Sequence, residues 1–225
     1  MSTVRTGTSS TLFGNKGHIS VSRGVAEFNS RRPVLITAQD ESLLALPVDG
    51  LDDARLAEFT ALCASSEPYL VITARRALAL GIDTRTSMGV QLSATDNAES
   101  ILAFVGDSTI EGVPNALPAG RAAAAAIQLV KLSHNLPAVL AADLGRQVPT
   151  SEHGLVTVEA GAAESLFDNA IQSLTLASEA VVPLNSVQAP VSSYFATPWA
   201  ETRLLSSSAN RTSPNRCPCV YIRHA

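Results

Sequence analysis

Much is scarce in this chain, and each scarcity removes a class of function. Aromatic residues fill only 4% of the 225 positions, so few rings are available to stack on nucleic-acid bases. Positive charge is outnumbered: 16 Lys and Arg against 20 Asp and Glu leave a formal net charge of −4. No basic field therefore draws the chain to nucleic acid or to an anionic membrane. Three cysteines, Cys63, Cys217 and Cys219, are too few and too poorly placed for a disulfide framework. No apolar run reaches the roughly eighteen residues that a membrane span needs. The polar, Ser/Thr/Gly-rich start from Met1 to Ser20 lacks the apolar core of a signal peptide. A phosphate loop of the Gly-x-x-x-x-Gly-Lys type is also missing. These absences lead to the expectation of a cytoplasmic protein with no nucleic-acid or membrane partner.

What is present is a core-forming composition, 46% hydrophobic and 16% charged, in a length suited to one domain. Residues 1–20 read as a disordered leader, 21–182 as the domain, 183–194 as a linker and 195–225 as a disordered tail. Val25 and Phe28 share a helical face, and Arg31-Arg32-Pro33 stops that helix. Val34 to Thr37 and Leu43 to Val48 are apolar runs around a polar turn at Ala38-Gln39-Asp40-Glu41, the pattern of a hairpin. Asp52 and Asp53 open a helix whose inward face is Leu56, Phe59 and Cys63. Further strands are expected at Tyr69–Thr73, Val90–Leu92, Ala138–Ala142 and Val156–Glu159. Helices are expected over Arg75–Leu80, Ala98–Val105 and Ala160–Leu174. The alanine-rich stretch Arg121–Leu136, after a Pro/Gly loop from Gly112 to Gly120, reads as the longest helix. This order implies an α+β domain with a single mixed sheet covered by helices.

Five segments carry a family resemblance. They are Arg31-Arg-Pro-Val-Leu-Ile-Thr37, Leu44-Ala-Leu-Pro-Val-Asp-Gly-Leu51, Tyr69 to Ile82, Ala126 to Pro137 and Ser173 to Pro183. In order and spacing they resemble the amino-terminal, non-catalytic extension of bacterial GTP cyclohydrolase II, over about Val21 to Tyr194. That extension is itself similar to 3,4-dihydroxy-2-butanone-4-phosphate synthase, a lyase that acts on ribulose 5-phosphate. The resemblance implies the lyase's fold and a possible homodimer.

It also exposes what the lyase has and this chain lacks. The lyase holds Mg²⁺ and moves protons with an acidic loop, Asp-x-Glu-Asp-Arg-Glu-Asn-Glu-Gly-Asp. The matching stretch here is only Ala38-Gln39-Asp40-Glu41-Ser42. Where the lyase has Gly-His-Thr-Glu-Ala at the start of a helix, this chain has Arg121-Ala122-Ala123-Ala124-Ala125. Ala122 and Ala124 replace the His and the Glu, and methyl groups neither ligate a metal nor carry a proton. No catalytic, cofactor-binding or metal-binding residue is therefore expected in this chain. A zinc site is expected only in the catalytic domain of the full-length family, where metal-bound water would act.

That domain should begin near Val191, yet the chain continues into Cys217-Pro-Cys219 and ends at Ala225. Cys217 and Cys219 lack the further ligands that a thiolate site requires. Read one base out of phase, with wobble bases free, Asn210 to Ala225 can encode Pro-Asp-Phe-Ala-Lys-Pro-Val-Pro-Val-Arg-Leu-His-Ser-Ala-Cys-Leu. That string resembles the opening of the GTP cyclohydrolase II catalytic domain, including its first zinc cysteine. A frameshift near Tyr194-Phe195 is the expectation, with the tail as out-of-frame coding.

The remaining polar residues have structural readings that precede functional ones. His134 reads as a cap or surface residue rather than a ligand, and Asp40 and Glu41 as turn residues rather than an acid–base pair. Asp52-Asp53 reads as a helix cap, and Arg75-Arg76 as a solvated helix start that could alternatively touch a phosphate. A small-molecule ligand is left undefined.

Overall fold

The computed structural model describes residues 14–63, 66–107, 109–110, 115–145 and 154–172, and the backbone of segments 175–181, 191–197 and 200–207. The chain divides into two units, Met1–Phe167 and Asp168–Ala225.

In the first unit a seven-stranded sheet runs in the order β5-β4-β3-β6-β2-β1-β7. Its strands are β1 Val34–Ala38, β2 Glu41–Pro47, β3 Tyr69–Ile72, β4 Met88–Gln91, β5 Ala116–Pro118, β6 Ala138–Asp143 and β7 Val156–Glu159. Every neighbour is antiparallel except β7, which pairs in parallel with β1. The sheet is thus the mixed one expected, with helices on both faces. Among the described residues, no helix is long and apolar enough to cross a membrane.

Strand alternation sends side chains to two separate cores. On one face Val34, Ile36, Leu43, Ala45, Val71, Val139, Ala141 and Val158 meet helices α1 (Lys16–Asn29), α5 (Arg121–Leu132) and α6 (Ala160–Gln172). On the other, Leu35, Leu44, Leu46, Leu70, Ile72, Met88, Val90 and Leu140 meet α2 (Asp53–Leu62), α3 (Ala74–Ala79) and α4 (Ala98–Gly106). Burying one such Leu or Ile side chain contributes about 1.5–3 kcal/mol relative to leaving it in water.

Several boundaries differ from the sequence reading. Helix α1 begins at Lys16, inside the segment read as a leader, because the Asn15 side chain accepts hydrogen bonds from Gly17 N (2.8 Å) and His18 N (3.3 Å). A polar cap has no apolar signature, so the composition of the leader concealed it. Residues 1–13 lie outside the described residues. Helix α5 stops at Leu132 rather than Leu136, since His134 takes a left-handed φ of 63° and Asn135 Nδ2 donates to Phe28 O at 3.2 Å. Pro137 also disfavours a helical Leu136. At 12 residues α5 is shorter than the 14-residue α1, so it is not the longest helix. The loop read between Gly112 and Gly120 contains β5.

In the second unit β8 (Thr175–Val181), β9 (Val191–Thr197) and β10 (Ala200–Ser207) form an antiparallel sheet in the order β10-β9-β8. The sequence reading placed no regular element in the linker and tail, which β9 and β10 partly occupy. Phe195, at the suspected frame change, pairs with Leu176 and with Arg203. Sheet ladders are made by backbone groups, so short stretches with β-branched and aromatic residues can pair without a regular apolar alternation. The Cys217-Pro-Cys219 segment lies outside the described residues.

Candidate functional site

The hairpin turn, the end of β6 and the start of α5 converge at one rim of the sheet. Glu41 precedes Leu43 by two residues and so shares its face; Leu43 lies opposite Asp143, and Tyr69 opposite Ala141. Glu41, Tyr69 and Asp143 therefore all project to the side covered by α5. Together with Asp40, Ser42, Gly120, Ala123 and Gly145 they line a cleft of about 240 Å³. The hairpin turn itself is two residues long, Gln39-Asp40, with Gln39 at a left-handed φ of 47°.

Two hydrogen bonds organise the cleft. Glu41 Oε2 accepts from the Ala122 N–H at 3.0 Å, at the amino-terminal end of α5. The Tyr69 hydroxyl donates to Asp143 Oδ1 at 3.1 Å. Burial raises the Asp143 carboxyl above the usual carboxylate range; the Tyr69 hydrogen bond opposes this shift and the charge on Glu41 adds to it. The Tyr69 phenol is pushed up as well, first by burial and then by the neighbouring carboxylates. None of the described lining residues is basic.

The same geometry decides whether the lyase's Mg²⁺ could sit here. A hard divalent cation requires several oxygen ligands free to face it. Glu41 is bonded to a backbone N–H, Asp143 to a phenol, and Ala122 and Ala123 are packed into the core at 1% exposure. Among the described residues no three His, Cys, Asp or Glu side chains gather where they could hold a metal. The described residues do not gather to hold the ion.

The other residues singled out in the sequence lie away from this rim. Asp52 caps α2 through Arg55 N (2.8 Å), while Asp53 reaches across to accept from Ala98 N (2.8 Å) at the start of α4. Arg76 donates to the carbonyls of Phe104 (2.9 Å) and Asp107 (2.6 Å) and lies 5.9 Å from the Phe104 ring centre. It thereby satisfies the open carbonyl end of α4, a role that neither a solvated helix start nor a phosphate contact describes. Arg75 is exposed. His134 Nδ1 donates to Lys131 O at 3.1 Å, at the carboxyl-terminal end of α5. Burial pushes the Cys63 thiol up to about 11, which keeps it protonated and inert in the core.

A larger depression of about 550 Å³ lies beside α2, lined by Asp53, Leu56, Ala57, Thr60, Ala61, Asp96 and Asn97. Three of its polar side chains already hold backbone N–H groups: Asp53 holds Ala98 N, Asn97 holds Ser100 N and Asp96 holds Ser93 N. It offers no convergent chemistry, and the smaller cleft is the better candidate. Tyr69 and Asp143 were missed in the sequence because each looked like the edge of an apolar strand. The single signal was a carboxylate ending the run Ala138-Val-Leu-Ala-Ala-Asp143, and only strand order places it near Glu41.

No protein-family profile and no curated protein sequence matches this chain. Solved structures do. The two-domain 3,4-dihydroxy-2-butanone 4-phosphate synthase RibBX from A. baumannii is similar with a TM-score of 0.51 and 12% identity, covering 83% of this chain and 69% of that one. The 3,4-dihydroxy-2-butanone 4-phosphate synthase of Candida albicans gives a TM-score of 0.45 and 11% identity, over 65% of this chain and 96% of that one. At such identities the likeness to RibBX is one of fold: this chain has a fold similar to 3,4-dihydroxy-2-butanone 4-phosphate synthase.

Proposed function

We propose that this chain is a catalytically silent domain with that lyase fold, the amino-terminal domain of a GTP cyclohydrolase II in riboflavin biosynthesis. In that family the hydrolysis of GTP, with loss of formate and pyrophosphate, belongs to a separate zinc-dependent domain. One observation carries the reading. At the start of α5, where the resemblance puts the lyase's His and Glu, stand Ala122 and Ala124, and the nearby carboxylate of Glu41 is bonded to Ala122 N–H. The lyase's paired His and Glu, which hold the metal and serve its proton transfer, thus have no counterpart at this helix start.

The frameshift belongs to the same proposal. Its suspected position, Tyr194-Phe195, falls inside β9. Resequencing the DNA across these codons and some hundreds of bases beyond is the decisive test. One extra base, opening a frame with His-Ser-(Ala or Glu)-Cys-Leu and a later Cys-x-Cys, is the expected result. Absence of any such frame downstream would sink the assignment to GTP cyclohydrolase II. For the silent site, the purified chain is expected to leave ribulose 5-phosphate unconsumed in the presence of Mg²⁺, and measurable turnover would restore the active-lyase reading.

A second reading, a regulatory domain that binds a sugar phosphate or a flavin, draws on the persistence of the cleft. Saturable heats in calorimetry with ribulose 5-phosphate or FMN would favour it. Homodimer formation through this domain is part of the proposal, with sedimentation of the chain as its test.

A further inference from the structure

We infer that Glu41 is the N-terminal cap of α5, supplied from a different element, and that this use of its carboxylate takes the place of a divalent cation at the rim of the sheet. The inference rests on the proposed silent site and adds what its carboxylate does instead.

An α-helix begins with N–H groups that have no partner within the helix, and the residue before it normally supplies an oxygen for one of them. Helices α1, α2, α3 and α4 follow this rule through Asn15, Asp52, Thr73 and Asn97. Helix α5 does not: its N-cap position is Gly120, which has no side chain to offer. The Ala122 N–H is the second of the helix and is one of those that a local cap would satisfy. Glu41, 81 residues earlier in the chain, accepts it at 3.0 Å. The chain uses the same device at α4, where Asp53 accepts from Ala98 N at 2.8 Å. A negative carboxylate in this position also complements the positive end of the helix dipole.

Glycine at position 120 is part of the arrangement. Its backbone is extended, with φ −63° and ψ 172°, and would suit an ordinary capping serine. A Cβ added there would lie 3.2 Å and 3.4 Å from the two carboxylate oxygens of Glu41, and no other group is as near. The cap from outside and a side chain inside therefore crowd one another. That crowding gives the test its sharpness.

The experiment is a set of thermal melts on the full chain. Glu41→Gln and Glu41→Ala both remove the charge, and with it the repulsion from Asp143, but only Gln keeps an acceptor oxygen. Glu41→Ala is expected to melt about 2–4 °C below Glu41→Gln. Adding Gly120→Ser to Glu41→Ala should recover most of that difference, whereas Gly120→Ser alone, crowded by Glu41, should give no gain. Millimolar Mg²⁺ is expected to leave the melting temperature of the native chain unchanged. Equal melting of the Gln and Ala variants, or failure of the serine to rescue, would overturn the cap. A rise in melting temperature with Mg²⁺ that disappears in Glu41→Ala would overturn the replacement of the cation. Assaying ribulose 5-phosphate consumption on the same samples separates the two ideas. Turnover by the native chain removes the silent-site reading, while a failed cap without turnover removes only this inference.

Discussion

The two faces of the seven-stranded sheet both bury large side chains, but only one of them adds a run of alanines. Beneath α2, α3 and α4 the core is built from large side chains, among them Ile72, Phe59, Leu44, Leu140 and Ile101. Beneath α1 and α5 large side chains such as Phe28, Ile36 and Leu129 are joined by a region of close approach: Ala122, Ala123, Ala125 and Ala126 line one face of α5, and Gly24 brings α1 onto Val158 and Leu129. Large side chains fill a wide gap, and small ones close it by letting backbones come near. In the proposed reading the difference bears on function. The start of the alanine-packed helix is where the resemblance puts the lyase's His and Glu, and there this chain has methyl groups.

The contrast can be tested from both sides. The largest loss is expected beneath α2, α3 and α4: Leu140→Ala removes most of a fully buried side chain and should cost about 2–5 kcal/mol in a chemical melt. On the close-packed face the damaging change is enlargement. Gly24→Ala would place a Cβ 2.7 Å from Val158 Cγ2 and 3.2 Å from Leu129 Cδ2. Alanine favours the helix by about 1 kcal/mol over glycine. The crowding, at about 1–3 kcal/mol, should outweigh that gain because Val158 and Leu129 are both fully buried. A gain in stability from Gly24→Ala would show that α1 can lift away, and the picture of close approach would fail.

A third change tests the cleft. The Asp143 carboxyl is raised, so the folded protein holds its proton to a higher pH than the unfolded chain does. The stability linked to this proton is present below the ordinary Asp value of about 3.9 and is lost as pH rises through the raised one. Asp143→Asn removes that loss and keeps an oxygen for the Tyr69 hydroxyl. The variant should be the more stable at pH 7, with its advantage shrinking as the pH falls into the range of an ordinary Asp. Equal pH profiles for the two proteins would contradict the shift. The smallest effect is expected at the surface. Arg121 pairs with Glu164 at 2.7 Å, but both side chains remain in contact with water, at 51% and 31% exposure. Arg121→Ala should change stability little, and less still in high salt.

Much of this architecture was legible before any coordinates. The hairpin at residues 34–48, the Asp52 start of α2, the strand at Tyr69 and the alanine helix all follow from apolar spacing and caps. Two boundaries set by polar contacts were not legible. Asn15 extends α1 into the leader, and Asn135 reaches Phe28 O to help end α5. The strands of the second unit were missed for a related reason, since backbone pairing leaves little trace in composition.

The candidate site divides in the same way. From the sequence alone came the shortened acidic turn at Asp40-Glu41 and the alanines at 122 and 124, because loss of a chemical group is visible in the letters. Tertiary structure alone decided that Glu41 meets Ala122 and that Tyr69 and Asp143 join them. Those residues are brought together by strand order and by the packing of α5, across separations of 81 and 74 positions. Local periodicity can say which face a residue occupies, but only the order of the strands says whose side chain it will meet there.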